Sequence, residues 1–158
     1  MLFLLFQLGN DRYALEASRV VEVLPLLELK QVPQAPKGLA GLFNYRGRPV
    51  PAVDLSEVTL GYPASQRLST RIIVISCPDG RGNSHLLGLI AEHATEMLRK
   101  DPKDFIDSGV RIGSAPYLGP VALDPSGAIQ LVHEQQFLSD QVRALLFSEA
   151  EQLTNETN

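Results

Sequence analysis

Six residues in this sequence could run a reaction: His85, His93, His133, Cys77, Asp54 and Glu22. Histidine and cysteine serve as metal ligands, and His, Cys and carboxylates serve as bases and nucleophiles. Their spacing assembles neither chemistry. His85 and His93 stand eight apart, outside the usual zinc spacings. No serine lies in a G-x-S-x-G elbow, and there is no phosphate-binding or dinucleotide glycine loop. Cys77 closes the apolar run IIVIS and reads as a small strand-end hydrophobe. The pattern therefore predicts no catalysis, no metal site and no cofactor. Recognition chemistry is better represented. Asn44-Tyr45-Arg46-Gly47-Arg48 places two guanidinium groups around one glycine, and each can grip a carboxylate in a planar fork.

The elements that must carry this cluster are short strands. The chain has 158 residues and is 44% hydrophobic, which suits one globular domain, or two small intertwined lobes, able to bury roughly 68–70% of its unfolded surface. LFLLFQL ends at the turn signal Gly9-Asn10-Asp11, and apolar alternation resumes in RYALE, VVEV and LKQV. TRIIVIS and HLLGLIAE read as strands, EHATEMLRK is ambiguous, and YLGPVAL and AIQLV flank a turn at Asp124–Gly127. Phe137, Leu138, Val142, Leu145 and Leu146 recur at helical spacing and predict a C-terminal helix. Many short strands with frequent turns predict a barrel or sandwich. The net charge of −4 and scattered basic residues argue against nucleic acid. No apolar run reaches the length of a membrane span, and the N-terminal run lacks a basic leader, so a cytoplasmic protein with no direct membrane insertion is expected.

FNY and RPVPAVDL form a hairpin around Arg46-Gly47. Backbone N–H groups two apart point to the same side of a strand. Pro49 and Pro51 therefore remove two donors from one side only, which predicts an edge or bulge there. Val50 and Ala52 keep their donors for the hairpin partner. Gly47 supplies positive φ for a tight turn, and the turn is expected to lift Tyr45, Arg46 and Arg48 into solvent or against a partner. Asp54, three residues before Glu57, reads as a helix N-cap rather than a catalytic acid.

These pieces, taken together, resemble the CheW family of chemotaxis adaptors. The matching segments are FQLGNDRYALE, VVEV, GLFNYRGRPVPAVDL, TRIIVIS, GLIAEHATEML and YLGPVALDPSGAIQLVH, in order from residue 2 to about residue 147. The resemblance implies a mainly β fold of two intertwined five-stranded SH3-like barrels with a C-terminal helix. The domain would span residues 1–147 as two packed lobes, with a flexible polar tail at 148–158. It implies a non-catalytic adaptor coupling chemoreceptors to a CheA-type histidine kinase in signalling arrays at the inner membrane. Its partners would be the regulatory domain of that kinase, itself CheW-like, and the cytoplasmic tip of the receptors. Residue by residue, Asn44 and Arg46 match the family's Asn-x-Arg-Gly, and Val20 and Glu22 match a V-x-E strand; Tyr45 and Arg48 flank them.

The chain also departs from the pattern. Tyr45 stands where an aliphatic is commoner, Arg48 adds a second charge, CPDGRGNS is long and polar, and DSGVRIGSAPYLG is short and glycine-rich. These differences bear on partner identity. They keep open a CheW-like module of a non-flagellar pathway, or one of a kind normally fused to a receiver or kinase. A small β-barrel enzyme is the remaining, weaker alternative. Edge strands also leave room for weak self-association.

Overall fold

The computed structural model describes residues 1–78 and 81–138. Among these residues nine strands run in the order β1 (Leu2–Leu8), β2 (Asp11–Glu16), β3 (Val20–Pro25), β4 (Leu39–Tyr45), β5 (Arg48–Asp54), β6 (Arg71–Pro78), β7 (Ser84–Arg99), β8 (Leu118–Asp124) and β9 (Gly127–Val132), with one short α-helix, α1 (Leu55–Leu60), after β5.

They form two five-stranded sheets that share β7. In one, β3 pairs β6, β6 pairs the first half of β7, that half runs parallel to β5, and β5 pairs β4. In the other, the second half of β7 pairs β1, β1 pairs β2, β2 runs parallel to β9, and β9 pairs β8. The sequence of antiparallel and parallel steps is the same in both. Each lobe thus repeats one topology, with the β1–β2 hairpin standing in the second lobe where β6 and the first half of β7 stand in the first. The chain enters the second lobe, leaves to build the first, and returns through β7. This is the expected intertwined pair of five-stranded lobes, although no sequence repeat betrays it.

Three apolar clusters follow from this arrangement. Phe43, Tyr45, Val50, Ala52, Ile72, Val74 and Ile90 fill the first lobe. Phe3, Ala14, Phe105, Ala122 and Ile129 fill the second. Between the lobes lie Leu4, Phe6, Leu15, Val53, Ile73, Ile75, Leu87, Leu89 and others. Successive residues of β6 alternate between the first-lobe core and the interlobe core. Both its faces are buried, which accounts for the unbroken run IIVI.

β7 crosses between sheets at a bulge. Leu5 faces Glu96 and Gln7 faces Glu92, so two residues of β1 span four of β7. His93 lies within that interval at φ +51°, a left-handed conformation in which His is enriched among non-glycine residues. The segment read as ambiguous is therefore the second half of one 16-residue strand.

The prolines sit as expected for half of β5 only. Pro49 and Pro51 face Asn44 and Leu42, in the pairs whose N–H groups point away from β4. That side is open at the prolines. It is not an edge throughout, because Ala52, Val53 and Asp54 pair with Gly88, Leu89 and Ile90. Pairing with β7 begins where the strand regains its donors. The expected C-terminal helix is not found up to residue 138. Phe137 and Leu138 are buried behind a single 3-10 turn at Glu134–Gln136, and Val142, Leu145 and Leu146 lie outside the described residues.

A Cβ on Gly88 would lie 2.5 Å from Phe43 Cε1 and 2.8 Å from Ile72 Cγ2. The glycine makes room for the Phe43 ring. Gly88→Ala should destabilise the protein by about 1–3 kcal/mol through overpacking, seen as a lower midpoint in urea; an unchanged midpoint would mean the ring has another place to go.

Candidate functional site

The β4–β5 hairpin closes on a two-residue turn, with Tyr45 facing Arg48. Both turn residues have positive φ, Arg46 at +52° and Gly47 at +85°, as in a type I′ turn. The favoured sequence for such a turn is Asn-Gly. Here the Asn stands three positions before the glycine and works from outside the turn, Asn44 Oδ1 accepting from the Gly47 N–H at 2.7 Å. Arg46 takes the position that normally favours Asn or Gly. The turn geometry itself does not call for an arginine there.

Glu22, Tyr45 and Arg46 converge. The Tyr45 hydroxyl donates to Glu22 Oε2 at 2.7 Å. An Arg46 guanidinium nitrogen lies 3.4 Å from the same oxygen, and the guanidinium carbon stands 5.3 Å from the Tyr45 ring centroid. The hydrogen bond to Glu22 raises the Tyr45 phenol above its ordinary pKa; burial adds to this and Arg46 opposes it. β3 and β4 are the two end strands of their sheet, and the Tyr45–Glu22 bond ties those ends together through side chains.

One expectation needs correction. Tyr45 is not lifted into solvent; it is only 7% exposed and packs with Phe43 in the first-lobe core. Strand alternation carried that signal, since Phe43 and Tyr45 share a face. Val20 packs against the interlobe core. Arg46 and Arg48 are exposed as expected, the Arg46 side chain at 76%. Asp54 caps α1, accepting from the Glu57 N–H at 3.2 Å, and its carboxylate also takes the Ala64 N–H at 3.0 Å. It is a structural carboxylate that ties the loop after α1 to the end of β5. His85 and His93 lie on β7 and His133 follows β9. No group of three or more His, Cys, Asp or Glu residues able to hold a metal occurs among the described residues. Lys30 was not foreseen near the hairpin. An isolated bridge to Leu42 brings it there, and nothing in the local sequence announces such a bridge.

Tyr45→Phe should lower the melting temperature at neutral pH. The folded-state pKa is raised, so the bond's contribution is complete below the ordinary tyrosine value of about 10 and is lost as pH climbs through the raised one. The gap between wild type and variant should therefore close in alkali. A gap that persists there would assign the loss to packing. A Cβ at Gly47 would meet nothing within 4 Å, so Gly47→Val should cost only backbone strain, about 1–2 kcal/mol; an unaltered urea midpoint would show that the turn can reform with negative φ.

The comparisons with known proteins agree with this architecture. A family model described as a CheW-like domain matches residues 2–142. A protein named chemotaxis protein CheW from Helicobacter pylori is 29% identical over 98 residues, covering 61% of this chain and 56% of the relative. One of the same name from Klebsiella aerogenes is 25% identical over 96 residues, covering 61% and 55%. These alignments thus span little more than half the length of the curated relatives. The crystal structure of the scaffolding protein TtCheW from Thermoanaerobacter tengcongensis superposes with a TM-score of 0.76 over 89% of both chains at 21% identity, a likeness that bears on the fold. No helix among the described residues is long and apolar enough to cross a membrane. With two lobes of one topology sharing a strand, and a matching domain from residue 2 to residue 142, the chain belongs to the CheW-like family.

Proposed function

We propose that this protein is a non-catalytic adaptor that couples chemoreceptors to a CheA-type histidine kinase, working in the cytoplasm at receptor arrays on the inner membrane. The observation that carries this reading is the CheW-like domain spanning residues 2–142. The two relatives above are named for chemotaxis and the structural neighbour for scaffolding. In this reading the kinase contributes its own CheW-like regulatory domain and the receptor its cytoplasmic tip.

The β4–β5 tip supplies the contact. Arg46 presents its fork to a carboxylate on the partner. Asn44 holds the turn, while Glu22 and Tyr45 orient the guanidinium from below. Arg48 adds charge beside it, and Val20 supports β3 from the core side. An arginine in a left-handed turn costs conformational energy that asparagine or glycine would not. Functional positions commonly carry strain of this kind. An exposed ion pair like Arg46–Glu22 stabilises little, so stability gives no reason to keep arginine there.

Calorimetric titration with the CheW-like regulatory domain of a CheA-type kinase tests the reading. Saturable binding is expected, weakened about tenfold or more by Arg46→Glu. Arg46→Asn should hold or raise the melting temperature and still weaken binding. Binding untouched by both variants would remove Arg46 from the contact. No binding to the kinase domain, nor to a receptor-tip fragment titrated in parallel, would overturn the adaptor reading.

A further inference from the structure

The outer edge of β4 differs from its counterpart in the other lobe in a way that specifies a ligand. Lys30 forms a two-way backbone bridge with Leu42, N to O at 2.8 and 2.9 Å. Asn44, two residues on, directs its own N–H and C=O to the same side, beyond the end of that bridge. Beside it lies a hollow of about 340 Å³, bounded by Leu42, Phe43 and Pro49, with Lys30 and Arg48 at its rim and no carboxylate in its wall. Its size falls near the lower end of small-ligand pockets, roughly 300–1,000 Å³. Both cations are exposed, and Arg48 has no carboxylate partner among the described residues.

The second lobe supplies an internal comparison. There Ile106 bridges Val121 at 2.9 Å in both directions, and Leu123 takes the place of Asn44. The adjoining hollow carries Asp104 and Asp107 as well as Lys100 and Lys103. The backbone geometry is the same, but only the first lobe has a wholly cationic rim.

We propose that the β4 edge is a docking site for an extended acidic segment of a protein partner. The segment would pair with the Asn44 backbone, continue the line of Lys30, set one apolar side chain against Leu42 and Pro49, and place flanking carboxylates on Lys30 and Arg48. Main-chain pairing would give affinity, and the hollow and its charges would give selectivity. This rests on the adaptor reading for its partner; it shares Arg48 and Asn44 with the hairpin tip but not the Arg46–Glu22 pair, and Lys30→Glu is the variant that acts on this edge alone.

A fluorescein-labelled peptide of alternating glutamate and leucine, seven residues long and capped at both ends, is the probe. Its anisotropy should report saturable binding that weakens with salt. Lys30→Glu and Arg48→Glu should each weaken binding roughly tenfold, with unchanged melting temperatures. The Asn44 amide should shift in NMR spectra and exchange more slowly with peptide bound. The same peptide with lysine for glutamate should not bind. Absence of saturable binding, equal binding of the lysine peptide, or shifts centred on Leu123 would overturn the proposal. Titration of the kinase domain in the same buffer separates the two readings: kinase binding without peptide binding ends this proposal and leaves the adaptor standing.

Discussion

The structure depends on one strand serving two sheets. β7 gives its first half to β6 and β5 and its second half to β1. Neither lobe is complete without it. The lobes therefore cannot separate as independent barrels without breaking one or the other, and the core between them is shared by β1, β5, β6 and β7 residues. This explains why apolar residues occupy both faces of β6 and why Leu87, Leu89, Ile90 and Ala91 follow one another almost without polar interruption. It also explains His93. A strand that changes sheets must turn between them, and a residue in the left-handed region within a bulge lets it do so.

The same economy of backbone shapes the β4–β5 hairpin. Pro49 and Pro51 withhold donors on the side away from β4, so β7 is met only from Ala52 onward. The tip of the hairpin then projects past the shared strand. Tyr45 anchors it from the inside through Glu22, and Asn44 fixes the turn from the outside. What remains exposed at the tip is charge: Arg46 and Arg48. The fold thus delivers a hydrogen-bonded turn whose outward charged groups are cationic.

Much of this was legible in the residues. The two-residue turns, the Asp54 cap, the proline side of β5 and the positive φ of Gly47 each rest on local chemistry, and local chemistry is what a sequence displays. The resemblance to a known family carried the two-lobe architecture, which periodicity alone did not reach. Long-range facts were hidden. The hydrogen bond of the Tyr45 hydroxyl depends on Glu22 arriving from a strand 23 residues earlier. The position of Lys30 depends on a single bridge outside any strand. The left-handed Arg46 was hidden for another reason: arginine is an uncommon choice there, and sequence preference pointed to the glycine alone.

Because the two lobes share one topology, their differences fall on side chains. The hairpin tip is Arg46-Gly47 in one lobe and Pro125-Ser126 in the other. Asp124 is engaged by Arg12, whose guanidinium holds its carboxyl below the usual range; the corresponding Tyr45 engages Glu22. In one lobe the charge at the hairpin's base is spent within the chain, and an exposed Leu123 is left beside it. In the other, the tip cations face outward. Two lobes of one topology thus present chemically different ends, and the difference between them is written in side chains while the backbone pairing stays the same.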